Sequence, residues 1–159
     1  MSVNEIKMRM TQFQIMRFNE PRSPQCTVGD GLKVDTSLIK RAGFGLFATR
    51  DFRKNEYITH YEGEMISRQE ALARRSRGED SHIKCLHLMG DCIDGIKGKF
   101  AVKGCGGASL VNDARSQRGN NSRFETRNGT IWLRATRDIA KGEELYASYG
   151  RTYWRIRGM

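Results

Sequence analysis

RDIAKGEELYASY, from Arg137 to Tyr149, reads as a β-hairpin whose second strand delivers a tyrosine beside a glycine, Gly150. Its opening repeats an earlier segment. ATRDFRKNEYI (Ala48 to Ile58) and ATRDIAKGEEL (Ala135 to Leu145) share six of eleven residues. In both copies apolar residues flank a polar turn, Lys54-Asn55-Glu56 or Lys141-Gly142-Glu143, with asparagine or glycine where positive φ is needed. Two such strand-turn-strand units in one chain predict a domain built mainly of short antiparallel strands.

Upstream, Leu38-Ile39 leads into a turn at Ala42-Gly43-Phe44-Gly45. Leu46-Phe47-Ala48 and Tyr57 to Tyr61 are then expected to form the first hairpin. Ser67 to Arg77, SRQEALARRSR, carries the one strong helix signal, with Ser67 as N-cap, Glu70 completing a capping box and Gly78 as the stop. Ile83 to Leu88 and Cys92 to Asp94 are strand candidates, followed by a glycine-dense stretch, Gly104 to Gly107. Arg115 to Asn121 reads as loop, Ile131 to Ala135 opens the final hairpin, and Tyr149 to Trp154 closes the chain. The fold class is mainly β with one inserted helix.

At 159 residues the chain has room for one core, with an N-terminal arm over 1–32, a domain over 33–154 and a short tail over 155–159. No apolar run approaches a membrane span. The 28 basic against 18 acidic side chains give +10, which favours acidic partners and leaves contact with nucleic acid through a basic surface as an option. The basic residues are spread out, however, with only Arg74, Arg75 and Arg77 closely grouped. Cys26, Cys85, Cys92 and Cys105 form no C-x-x-C pair, so no metal site is expected and all four read as reduced thiols of a nuclear or cytoplasmic protein.

Four ordered pieces together resemble the SET domain, the β-clip fold with a knot-like core found in protein-lysine methyltransferases. Gly43-Phe44-Gly45 is similar to the family's G-x-G motif and Tyr61-Glu62-Gly63-Glu64 to its Y-x-G-E segment. Ser109-Leu110-Val111-Asn112-Asp113 with Asn120-Asn121 stands in place of R-F-x-N-H-S-C-x-P-N. Ser109 replaces arginine, Asp113 histidine and Asn120 proline, in a loop three residues longer. Gly142-Glu143-Glu144-Leu145 through Tyr149-Gly150, then Tyr153-Trp154, is similar to G-E-E-L-x-x-x-Y-G and its aromatic tail. Each piece alone would read as a turn or as core, and the ordered set is what is specific.

The resemblance implies S-adenosylmethionine as methyl donor, with S-adenosylhomocysteine as product, and a lysine side chain of a protein, possibly a histone tail, as acceptor. It places Gly43, Phe44, Gly45, Asn112, Asp113, Tyr153 and Trp154 at the cofactor, and Tyr61 and Tyr149 as catalytic residues walling the lysine channel. Methyl transfer to an amine is an in-line displacement, so alignment and a desolvated, neutral lysine are the main demands. Tyr149 is therefore expected to position and polarise rather than act as base, and Glu143 and Glu144 to shape the knot. Ala147 lies where the family often carries an aromatic ring, which implies room for di- or trimethylation unless another ring fills the gap. The channel needs a further wall, from the arm, the Tyr153-Trp154 tail or the second subunit of a homodimer. Glu62, Glu64, Glu79 and Asp80 are candidates for an acidic patch toward a basic substrate. The competing reading is a SET-like module that has lost turnover and serves chromatin or protein interaction.

Overall fold

The computed structural model describes residues 31–61, 63–87, 90–95, 107–116 and 119–159. The arm up to residue 30, Glu62, Gly104 to Gly106, Cys26 and Cys105 lie outside the described residues. Among the described residues three small antiparallel sheets form. Strands β1 (Leu32–Thr36), β2 (Phe44–Ala48) and β9 (Glu144–Leu145) form the first, in the order β1-β2-β9. The second has the order β3-β8-β7, from Tyr57–His60, Thr130–Ala135 and Ser122–Arg127. In the third, β4 (Gly63–Ile66), β6 (Cys92–Gly95) and β5 (Ile83–Cys85) leave β5 at the edge. Helix α1 spans Arg68–Ser76, and a second helix, α2, spans Arg151–Ile156.

Neither expected hairpin forms. β2 pairs with β1 and β9, while β3 pairs with β8. The repeated segments bind each other instead: Phe52 and Ile139 exchange both backbone hydrogen bonds at 2.9 Å, and both side chains are buried. Asp51 Oδ1 accepts from the Lys141 amide at 2.8 Å, and Asp138 Oδ1 accepts from the Lys54 amide at 2.7 Å, so each copy caps the other's turn. Positive φ falls at the equivalent Asn55 (72°) and Gly142 (92°), as the turn residues require. Long-range pairing wins over local hairpins because it buries Leu46, Phe52, Leu133, Ile139 and Leu145 in one core.

Helix α1 starts at Ser67, whose hydroxyl accepts from the Glu70 amide at 3.1 Å, and ends before Gly78. The return half of the capping box is replaced: the Glu70 carboxylate takes Arg74 Nε at 2.8 Å. Arg74 also reaches Glu64 and the buried Asp94, tying the helix to β4 and β6. Cys85 and Cys92 face each other across β5 and β6 and are joined by a disulfide, which corrects the expectation of reduced thiols for this pair. Among the described residues no helix is long and apolar enough to cross a membrane.

The C-terminal segment carries the crossing that defines the knot-like core. Tyr146 bridges to Asn112 and Ala147 to Ser122, both in parallel, so the segment passes between them. Asn121, only 1% exposed, locks it by donating from Nδ2 to the Glu144 carbonyl at 2.8 Å and accepting from the Tyr146 amide at 2.9 Å. The next residues, Ser148 to Gly150, emerge beside the strand ends that hold the remaining site residues.

Candidate active site

Gly43, Phe44, Gly45 and Asn112 are brought together as expected. Asn112 Nδ2 donates to the Phe44 carbonyl at 3.0 Å and to Ser37 Oγ at 3.1 Å. Beneath them sits Glu144, 2% exposed, which accepts from Ser37 Oγ and the Leu38 amide at 2.7 Å each and from Asn112 Nδ2 at 3.2 Å. A Cβ on Gly45 would collide with the Glu144 carboxylate, so the close approach excludes every other residue type there. Gly43 supplies the turn, with φ 77°. Phe44 is left 46% exposed between the two glycines.

The neighbouring residue, Asp113, organises a second cluster. Its carboxylate accepts from the Tyr149 amide and Trp154 Nε1 at 2.8 Å each, the Arg115 amide at 2.7 Å and Asn120 Nδ2 at 3.1 Å. Burial pushes the Asp113 carboxyl up, but these donors outweigh it and hold it below the usual carboxylate range. Two departures from the family pattern thus support each other: Asp113 holds the tail, and Asn120 both donates to Asp113 and accepts from the Ala114 amide at 2.9 Å. The Trp154 ring stacks on Tyr149 at 5.7 Å between centroids and carries the Arg115 guanidinium at 4.5 Å. Asp113, Arg115, Asn120 and Trp154 border an open groove of about 780 Å³ with Arg151, Arg155 and Met159.

Tyr61 and Tyr149 meet at a smaller cavity of about 110 Å³, whose wall also includes Tyr153, Phe124, Ser109 and Lys84. The Tyr149 hydroxyl donates to the Val111 carbonyl at 2.8 Å, and the Tyr61 hydroxyl to the His82 carbonyl at 2.7 Å. Burial raises both phenol pKa values well above the ordinary range, so both stay neutral phenols at working pH. Phe124 meets Tyr61 edge-on at 5.9 Å and Tyr153 meets Tyr149 at 4.8 Å, which leaves an aromatic sleeve. Arg157 lies over the Tyr153 ring at 3.8 Å and donates to Asp80 Oδ1 at 2.8 Å, latching the tail against the segment after α1.

Sequence reasoning missed Phe124, Lys84 and the two backbone carbonyls, for which no motif signal exists. Ala147 is fully buried in the core, its amide donating to the Asn112 carbonyl at 2.9 Å. The described members of the expected acidic patch are each committed to arginine: Glu64 to Arg74, Glu79 to Arg77, and Asp80 to Arg75 and Arg157. Glu143 pairs with Arg137 at 2.9 Å and caps the Ala140 amide, a turn role away from the cavity.

A glycine turn pinned by Asn112, a threaded C-terminal segment locked by the buried Asn121 and an aromatic cavity walled by both tyrosines define a SET-type fold. The chain belongs to the SET domain family, whose pattern matches residues 43–150. It is 32% identical over 129 residues to N-lysine methyltransferase KMT5A-B of Xenopus laevis, an alignment covering 76% of this chain and 36% of the relative. It is 29% identical over 125 residues to histone-lysine N-methyltransferase EZH2 of Chaetomium thermophilum, covering 74% of this chain and 8% of that protein. Among solved structures it resembles a humanized mutant of the Chaetomium thermophilum Polycomb Repressive Complex 2 bound to the inhibitor GSK126, with a TM-score of 0.56 and 26% identity, covering 75% of this chain and 15% of that chain. The chain thus spans about a third or less of the length of these relatives.

Proposed function

We propose that this domain transfers a methyl group from S-adenosylmethionine to the side-chain nitrogen of lysine on a protein, with histones as the first substrate class to test and the nucleus as its place of work. The observation that carries this reading is the cavity in which Tyr61, Phe124, Tyr149 and Tyr153 surround a space beside the Val111 and His82 carbonyls. Such a sleeve strips water from an entering lysine and favours its neutral, nucleophilic form. When bound, the cofactor supplies an electrophilic sulfonium methyl. Gly43, Phe44, Gly45 and Asn112 would hold its amino-acid end, and Asp113, Tyr153 and Trp154 its adenine side. The residues fit the group: Gly43 leaves open space beside the turn, and Phe44 offers an exposed ring beside fixed polar atoms.

In this reading Tyr149 and Tyr61 are the catalytic residues. Their hydroxyls are anchored by main-chain carbonyls and orient the acceptor, and neither acts as a base because burial keeps both protonated. The proton lost from the acceptor leaves through solvent. The tail forms the further channel wall, with Tyr153 held by the Arg157–Asp80 latch. Because Phe124 lines the cavity and Ala147 does not, we assign the limit on methyl number to Phe124; Phe124→Tyr, by adding a hydroxyl able to hold a water, should shift mass-spectrometric product toward monomethyl lysine.

The test is incubation with radiolabelled S-adenosylmethionine, recombinant histones and cell extract, with Tyr149→Phe alongside. Label on a protein band that fades in the variant supports the reading. No label on any band together with no cofactor binding by calorimetry would overturn it in favour of an interaction module.

A further inference from the structure

Lys84 is the central residue of β5, the edge strand of its sheet, and its side chain lines the aromatic cavity with Tyr61 and Tyr149. Its Nζ lies 3.9 Å from the centroid of Phe124, a ring of the same sleeve. Among the described residues no carboxylate reaches it at ion-pair distance. Burial pulls the Lys84 ammonium down to about 8, against an opposing pull from Asp113, so it gives up its proton more readily than a solvated lysine. Beside it, the buried Ser109 Oγ has no hydrogen-bond partner and lines the same space, an acceptor suited to an amine or ammonium. These are the conditions that methyl transfer requires of its acceptor: a desolvated lysine nitrogen at the reacting tyrosine's cavity.

We propose that Lys84 is itself a methyl acceptor, so that the domain methylates its own channel lysine; this rests on the lysine methyltransferase reading above. The Nζ lone pair forms the new N–C bond while the bond from methyl carbon to sulfonium sulfur breaks, its electron pair staying on sulfur. The extra proton on the product nitrogen passes to water. Added methyl groups enlarge the side chain in a cavity of about 110 Å³ and strengthen its hold on the Phe124 face, since aromatic rings bind methylated ammonium groups well. Self-methylation therefore narrows the path for other lysines.

The test uses the full chain with S-adenosylmethionine carrying a deuterated methyl group, followed by chymotryptic digestion and mass spectrometry. A parallel reaction contains recombinant core histones. The expected result is deuterated methyl on the Lys84 peptide, absent from Lys84→Arg, appearing with a rate constant independent of protein concentration. Labelled histones with unmodified Lys84, or a Lys84 rate that climbs in proportion to protein concentration, would overturn self-methylation in cis and leave the methyltransferase reading standing. No label on histones or on Lys84 would overturn both.

Discussion

The turns at Ala48–Ile58 and Ala135–Leu145 are two solutions of one structural problem, and they differ in what they deliver. In each, a glutamate caps an amide three residues upstream and pairs with an arginine at 2.9 Å: Glu56 with the Arg53 amide and Arg50, Glu143 with the Ala140 amide and Arg137. In each, the chain then runs on to a tyrosine of the cavity, Tyr61 or Tyr149. The copies diverge at the position after that glutamate. Tyr57 sends its hydroxyl to Glu125 on the neighbouring strand, whereas Glu144 is buried and gathers Ser37, Leu38, Asn112 and Tyr146. The shared aspartate and glutamate close the scaffold in both copies, and at this differing position the second copy organises the site.

The divergent position should show the largest effect on stability. Glu144→Ala removes four part-buried hydrogen bonds at once and leaves a cavity at a buried position, so it is expected to cost about 3 kcal/mol, while Tyr57→Phe in the other copy should cost about 1 kcal/mol. Denaturant melts of the two variants check this, and equal losses would break the distinction between scaffold and site. A smaller effect, of about 1 kcal/mol, belongs to Asp113, through which the second copy's tyrosine is tied to the tail. Its folded pKa is depressed, so its contribution is present above the ordinary carboxylate value near 4 and is lost as pH falls through the folded value. Melting temperature should drop more steeply as pH falls below about 4 in the parent than in Asp113→Asn. Most diagnostic of the pseudo-symmetry are Asp51→Ala and Asp138→Ala. Each removes one cap on the opposite copy, and each should cost about 1 kcal/mol, with values agreeing to about 0.5 kcal/mol. A large inequality would mean that the copies are not equivalent as scaffold.

The local features were legible in the sequence. Ser67 marked the helix start, Asn55 and Gly142 the positive φ positions, and the four ordered motifs the fold and most residues of the candidate site that the fold brings together. Pairing partners were not, because local sequence cannot say whether a strand turns back on itself or finds a distant copy; that choice is made by the core shared by Phe52 and Ile139. β7 escaped notice although Asn128-Gly129, both at positive φ, marks its hairpin with β8. In the sequence Asp113 and Asn120 read only as departures from a motif, and the fold brings the two together in a hydrogen bond. Lys84 carries no pattern at all, since its significance lies in the rings that tertiary structure sets around it.

Single-turnover methyl transfer to one histone substrate by Tyr149→Phe, Tyr61→Phe and Tyr57→Phe tests most directly whether the two copies converge on the reacting centre. The structure calls for a loss of roughly 100-fold in Tyr149→Phe and about 10-fold in Tyr61→Phe, with Tyr57→Phe within about twofold of the parent. Equal turnover by Tyr149→Phe and Tyr57→Phe would contradict the assignment of the aromatic cavity as the site of transfer.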